Sequence, residues 1–443
     1  MRLNELSATE AARLIAERAI TSEQLVRACL DRIEAREPTV KAWSALDPDA
    51  ALRQAKERDK ERDKGPVLGP LHGVPIAVKD VLDTFDLKTE MGSPIYAGHQ
   101  PPADASCVAL VRAAGAVILG KTVTAEFAGM APGPTTNPHN PRHTPGGSSS
   151  GSAAAVADFM APVAFGTQTG GSVQRPSAFC GIVGYKPTFG TVNRAGLKFA
   201  AESLDTIGLM ARALDDIALV RRVLMGSSPE PTEGVPLTGS PRVGLCPTYL
   251  WGKASTETRA AVEDAAARLR EADAQVEDFS LPDDFGGLTE AREVINNVER
   301  ARGMAHEWRH HRDQISPQLS RCIALGLETP YEKYVDALRF AEHCRIQLDM
   351  LLAGIDVLIA PTVSGEAPAG LEWTGDPAFQ GLWTILHVPT VNLPTHLGPN
   401  GLPVGIQLIA ARYRDEALLR TASWAWNALG PAHAKVAARA LVA

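Results

Sequence analysis

A chain of 443 residues is long enough to bury a sizeable core and too long for a lone binding module. Fifty-one acidic residues against 44 basic ones give a formal charge of −7, which argues against a nucleic-acid partner. Hydrophobic residues make up 45% of the sequence, yet no run approaches the roughly 18 apolar residues of a membrane span. The N-terminal stretch lacks the apolar segment of a signal peptide, so the expected compartment is the cytoplasm. Six scattered cysteines without a CxxC pair read as reduced thiols, neither zinc ligands nor a disulfide framework.

The first 64 residues carry helical signals. Ser7 with Glu10 makes one capping box, and Thr21 with Gln24 makes another before a helix expected to end near Pro38. Asp47-Pro48 opens a third helix, which closes in the solvated run KERDKERDK. From residue 65 onward, short apolar runs at Val74–Val78, Ala116–Leu119 and Ala161–Phe165 alternate with helical stretches at Ala105–Ala114 and Ala153–Phe159. That alternation predicts an α/β sheet with covering helices. Residues 241–280 repeat the scheme with a strand, a helix and a strand. A long polar helical region over about 287–352 follows, interrupted at Thr329-Pro330, before strand character returns at Ile355–Ala360 and over 388–409. No solenoid repeat is present, and no linker marks a domain boundary.

The segment TPGGSSSGS at 144–152 has the composition of a flexible linker. It runs directly into an alanine-rich helix, an apolar strand and then a second cluster, GTQTGGSVQRPSAFCG at 166–181, which argues for a built site. Ser172 follows two glycines, so the amides of Thr169, Gly170, Gly171 and Ser172 could converge as an oxyanion hole. No histidine lies in either cluster to serve as base. Lys79, at the end of an apolar run, is the alternative. Lowering its pKa from about 10.4 to about 7–8 costs ~4 kcal/mol, within reach of desolvation. The residue pattern equally allows a surface lysine paired with Asp80 or Asp83.

GPLHGVPIAVKD at 69–80, PGGSSSGSAAAVA at 145–157 and GTQTGGSVQRPSAFCGIVGYKPTFG at 166–190 resemble the three blocks of the amidase signature family. GKTVTAEFA at 120–128, SLDTIGLMAR at 203–212, DVLIAPT at 356–362 and NGLPVGIQLIA at 400–410 extend the likeness to nearly the whole chain. The resemblance implies one amidase domain over 1–443, with its core at about 65–215. The fold it implies is α/β, with a central mixed sheet covered by helices on both faces and a variable helical insert at about 280–350. It also implies a Ser–cis-Ser–Lys triad of Ser172 as nucleophile, Ser148 as bridge on a non-proline cis peptide, and Lys79 as base. The amides of 169–172 would hold the oxyanion, and Arg175, Gly129, Met130, Ser149 and Gln168 would bind substrate. No metal or organic cofactor is implied. The partner is a small-molecule amide, and because members of the family often form dimers, a homodimer is an expectation.

Many members of that family carry Asp and Arg where this chain has Gln168 and Gln174, and here an arginine follows one residue later, as Arg175. Losing both charges together avoids stranding one in a desolvated site. The T-Q-T…S-V-x-R form is similar to a malonamidase-like branch in which the displaced arginine recognises a carboxylate. Arg175 could instead pair an internal acid. Relatives of the same family also include amidotransferase subunits that pass ammonia to a partner, and these usually carry the Asp/Arg version of the block. Specificity is expected from 280–350, from Ala128–Met130 and from the stretch around Trp383–His387. His306-Glu307-Trp308-Arg309-His310 matches HExxH, a zinc-peptidase helix, but charge surrounds it and no third ligand stands out. A solvated helix face is the simpler account.

Overall fold

The computed structural model describes residues 2–226 and 239–429. Its strands are β1 (Trp43–Leu46), β2 (Pro75–Lys79), β3 (Val117–Thr122), β4 (Val163–Gln168), β5 (Val183–Lys186), β6 (Thr206–Ala211), β7 (Arg242–Leu245), β8 (Gln275–Asp278), β9 (Val357–Pro361), β10 (Thr390–Leu397) and β11 (Pro403–Ile409). These form one eleven-stranded sheet in the order β1-β3-β2-β4-β6-β5-β10-β11-β9-β7-β8. β3, β2 and β4 run parallel, as do β8, β7 and β9, whereas the pairs from β4 across to β9 are antiparallel. The sheet is therefore mixed, and the fold is α/β.

Strands that are apolar at every position must be covered twice. Along β2 to β4, side chains alternate between two cores: Ile76, Val78, Ile118, Val163 and Phe165 face one, and Ala77, Val117, Leu119 and Ala164 face the other. The N-terminal helices and the Ser150–Ala157 helix close the second core. The Ser106–Ala113, Leu214–Met225, Thr256–Glu271 and Asp415–Leu429 helices close the first. Among the described residues no helix is long and apolar enough to cross a membrane.

Local signals place most helix starts. Ser7 accepts from the Glu10 amide, Thr21 and Gln24 form the reciprocal box, and Asp47 accepts from Ala50 ahead of Pro48. Two boundaries move. The second helix runs over Ser22–Val40 and passes Pro38, because a proline in the last turn removes a single hydrogen bond while buried Ile33 and Val40 hold the helix down. β4 begins at Val163 and continues to Gln168, so the first three residues of the second glycine cluster are strand, paired with Gly208, Ile207 and Thr206 of β6. The 280–350 region contains the Leu288–Gly303, Ala305–His310, Pro317–Glu328 and Tyr331–Leu351 helices, broken as expected at Thr329-Pro330.

Candidate active site

Lys79 is the last residue of β2, and its parallel neighbour β4 ends beside it. Ligand sites in α/β sheets form at such carboxyl ends. Lys79 is fully buried. Its Nζ lies 2.8 Å from Ser148 Oγ and 2.8 Å from Thr167 Oγ1, with the Thr167 carbonyl at 3.5 Å. The surface pairing does not occur: Asp80 instead holds Lys121 at 3.0 Å. Burial pushes the Lys79 ammonium down to about 7, with the Asp205 charge raising it and Arg175 and Arg300 lowering it. The Gly147–Ser148 peptide is cis.

After β4 the chain turns through Thr169-Gly170-Gly171-Ser172 into the Gln174–Cys180 helix. Among the described residues, the amides of Gly170, Gly171 and Ser172 donate to no other group, and the Ser172 hydroxyl has no hydrogen-bond partner. Catalytic hydrogen bonds often tighten only when substrate binds. The turn is braced from behind. Asp205 accepts from Thr169 Oγ1 and from the Ala200 and Ala201 amides at 2.6 and 3.1 Å, and Thr384 Oγ1 donates to Gly170 O at 2.7 Å. Burial raises the Asp205 carboxyl above its ordinary range.

Residues 169–172 line a cavity of about 60 Å³ together with Ala128, Gly129, Met130, Arg175, Arg292, Asn296, Arg300, Leu319, Cys322 and Pro377. A larger cavity of about 490 Å³, bordered by Trp43, Asp80 and Glu126, is lined by none of Lys79, Ser148 and Ser172. The smaller one is the candidate site because Ser172 and the open 169–172 turn line it, with Arg175 beside them. Arg175 is 1% exposed, and its Nη2 donates to Gly147 O at 2.7 Å and Thr374 Oγ1 at 3.1 Å. Its Nε and Nη1 are buried without partners, and no described acid forms an ion pair with it. Burial lowers the guanidinium to about 10, so it stays charged at neutral pH.

Gly129, Met130 and Arg175 thus reach the cavity, whereas two expected substrate contacts do not. Gln168 has its amide engaged at both ends, with Oε1 accepting from Val173 and Gln174 at 2.9 and 3.0 Å and Nε2 donating to Thr384 at 3.0 Å. It caps the following helix instead. Ser149 Oγ exchanges hydrogen bonds with the Thr167 carbonyl and amide at 3.2 Å, and so supports β4. Trp383 is 1% exposed in a core behind the turn. The sequence reading missed Thr167, Asp205, Arg292, Asn296 and Arg300. Only the last three carried a usable signal, a four-residue spacing that lines up one helix face.

The HExxH helix is not simply a solvated face. His306 and His310 are exposed, but Glu307 is buried and accepts from Tyr96 Oη at 2.6 Å and Lys198 Nζ at 2.7 Å, which ties the helix to the body. Among the described residues no group of three His, Cys, Asp or Glu could hold a metal ion.

A mixed sheet covered on both faces, with a serine turn and a buried lysine at the strand ends, is an α/β protein with a candidate active site. The chain belongs to the amidase family, whose model, described as Amidase, matches residues 24–419. It is 36% identical to a glutamyl-tRNA(Gln) amidotransferase subunit of Chloroflexus aurantiacus, over 94% of this chain and 95% of that protein. It superposes on the native peptide amidase of Stenotrophomonas maltophilia with a TM-score of 0.82 at 30% identity, covering 96% of each chain. For 6-aminohexanoate cyclic dimer hydrolase the TM-score is 0.86 at 26% identity, covering 97% of this chain and 98% of that one. Family membership makes the protein an enzyme of carbon–nitrogen bond chemistry, as a hydrolase or an amidotransferase.

Proposed function

We propose that the protein is an amidohydrolase that cleaves a small carboxamide through a seryl acyl-enzyme. The observation that carries this reading is the buried Lys79, held at 2.8 Å from Ser148 with its pKa lowered to about 7, beside a turn with open amides at Ser172. Neutral Lys79 takes a proton from Ser148 as Ser148 takes one from Ser172, whose Oγ attacks the amide carbonyl. The oxyanion faces the 169–172 amides, each worth about 10²–10³ in rate. The relay then returns its proton to the departing nitrogen, releasing ammonia or an amine, and water hydrolyses the ester along the same path. Arg175 holds a carboxylate on the substrate, because its Nε and Nη1 have no partner within the protein and each can donate to a carboxylate oxygen.

A serine-directed phosphonate should label Ser172, and purified protein should release ammonia from matched amides faster when a carboxylate is present. Arg175→Ala should cost the carboxylated amide about 30-fold or more relative to its neutral match, the value of a lost charged hydrogen bond. Equal losses on both would sink the carboxylate reading, and an unlabelled Ser172 would sink the acyl-enzyme.

The similarity to amidotransferase subunits favours a second reading, delivery of ammonia to a partner protein. Gln168 and Gln174 in place of the Asp/Arg pair weigh against it. Free amide turnover by the isolated chain would exclude an obligate partner.

A further inference from the structure

Three guanidinium groups reach the candidate cavity, and among the described residues no aspartate or glutamate lines it. Arg175 comes from the helix after the nucleophile turn. Arg292 and Arg300 come from another wall, the Leu288–Gly303 helix, with Asn296 between them on the same face. Arg300 has work within the protein, donating to Phe127 O at 3.1 Å. Arg292 does not. Among the described residues it makes no hydrogen bond, and its ion pair with Glu293 is 3.8 Å long to a carboxylate whose side chain is 63% exposed. A contact of that kind is worth little.

Arg292 is nevertheless packed in place, with only 13% of its side chain exposed. Gly381 leaves the berth, since a Cβ there would stand 2.7 Å from Arg292 Nε. Arg292 Nη1 lies 3.5 Å from the Cβ position of Gly170, at the edge of the open turn. Burial comes first among the influences on the Arg175 guanidinium and lowers it; the Asp376 charge raises it, and the neighbouring charge of Arg292 lowers it again. Asp376 offsets both guanidinium groups from a distance but pairs with neither, so the two desolvated cations stay incompletely compensated until an anion enters.

We propose that Arg292 is a second anion-binding residue of this site and determines its specificity: the substrate carboxylate lies between Arg175 and Arg292, gripped from both walls. This rests on the reading of the site as an amidase for carboxylated substrates. With the carboxylate on the acyl side, cleavage of the C–N bond leaves a dicarboxylic acid, which should bind the same two arginines and inhibit.

The test uses the full chain and a pair of amides of equal length, one neutral and one ending in a carboxylate, with succinate as the inhibitor. Arg292→Gln should lower kcat/KM for the carboxylated amide at least about tenfold more than for the neutral one, mainly through KM, as expected for lost ground-state binding. The succinate inhibition constant should rise in parallel. Arg292→Lys, which keeps the charge without the fork, should restore part of both effects. A ratio near one for Arg292→Gln, while Arg175→Gln still costs the carboxylated amide more than the neutral one, overturns the role of Arg292 alone. If wild type shows no preference for the carboxylated amide and Arg175→Gln is also silent, the carboxylate reading itself fails and takes this proposal with it.

Discussion

Lys79 and Lys186 are both fully buried, and burial pushes each ammonium down to about 7; what separates them is what they touch. Lys186 donates to the carbonyls of Pro187 and Val388 at 2.9 and 2.6 Å, which suits a structural cation. Lys79 faces two hydroxyls, one of which can pass it a proton. The sign of the pH effect follows. Below about pH 7 Lys79 is an ammonium and cannot act as base, so kcat/KM should fall on the acid side with an apparent pKa near 7. Thr167 Oγ1 is an acceptor that favours the ammonium, so Thr167→Val should move that limb to lower pH and reduce kcat about tenfold through looser positioning. An unmoved limb in a folded variant would remove Thr167 from the site. Stability carries the same proton. Unfolded lysine holds it to about pH 10.4, so the penalty for burying Lys79 relaxes as pH rises from about 7 through that window. The sequence showed Lys79 at the end of an apolar run but not its partner. Asp80 is taken by Lys121 of a neighbouring strand, a pairing that no local pattern reveals.

At the scale of the element, the 169–172 turn depends on groups behind it. Asp205 just precedes β6, and its carboxylate collects one hydroxyl and two amides. Asp205→Asn would set an amide donor against backbone donors, at a cost of about 1–3 kcal/mol in stability. It should also lower kcat by about 10–100-fold as the oxyanion donors lose their aim. Because the Asp205 charge raises the Lys79 pKa, the acid limb should move to lower pH as well. Parallel measurement of melting, kcat and pH profile tests this, and a variant altered in melting alone would leave Asp205 with a purely structural role. Gln168 shows where sequence reading stopped. Its side-chain carbonyl serves the Val173 and Gln174 amides as a carboxylate would, without a charge that needs an answering arginine. Caps and apolar alternation are local and were legible. That Gly166-Thr167-Gln168 is strand depends on β6, whose pairing lies some forty residues along the chain.

Across the whole molecule, the candidate catalytic groups at the strand ends and the cationic wall come from separate parts of the chain. The polar 280–350 stretch was readable as helical and as the expected seat of specificity. Its position over the strand ends was not, because apolar periodicity marks which face of a helix is buried but not which distant element covers it. Gly326 is the closest of these approaches: a Cβ there would lie 2.0 Å from the Asn297 carbonyl oxygen. The Pro317–Glu328 helix can therefore lie flush on Leu288–Gly303, carrying Leu319 and Cys322 to the cavity beside Arg292 and Asn296. Gly326→Leu must part the two helices, since backbone cannot yield as a flexible side chain would. Overpacking of this kind costs about 1–3 kcal/mol. Lys79 ends β2, and Ser148 and Ser172 lie just before the Ser150–Ala157 and Gln174–Cys180 helices, so the three should keep their mutual geometry while the Arg292 wall shifts. The expected signature is a lower melting temperature with a preference for carboxylated over neutral amides that falls severalfold, while phosphonate labelling of Ser172 persists. A folded Gly326→Leu protein that kept the wild-type preference would show that this helix pair does not set the selectivity.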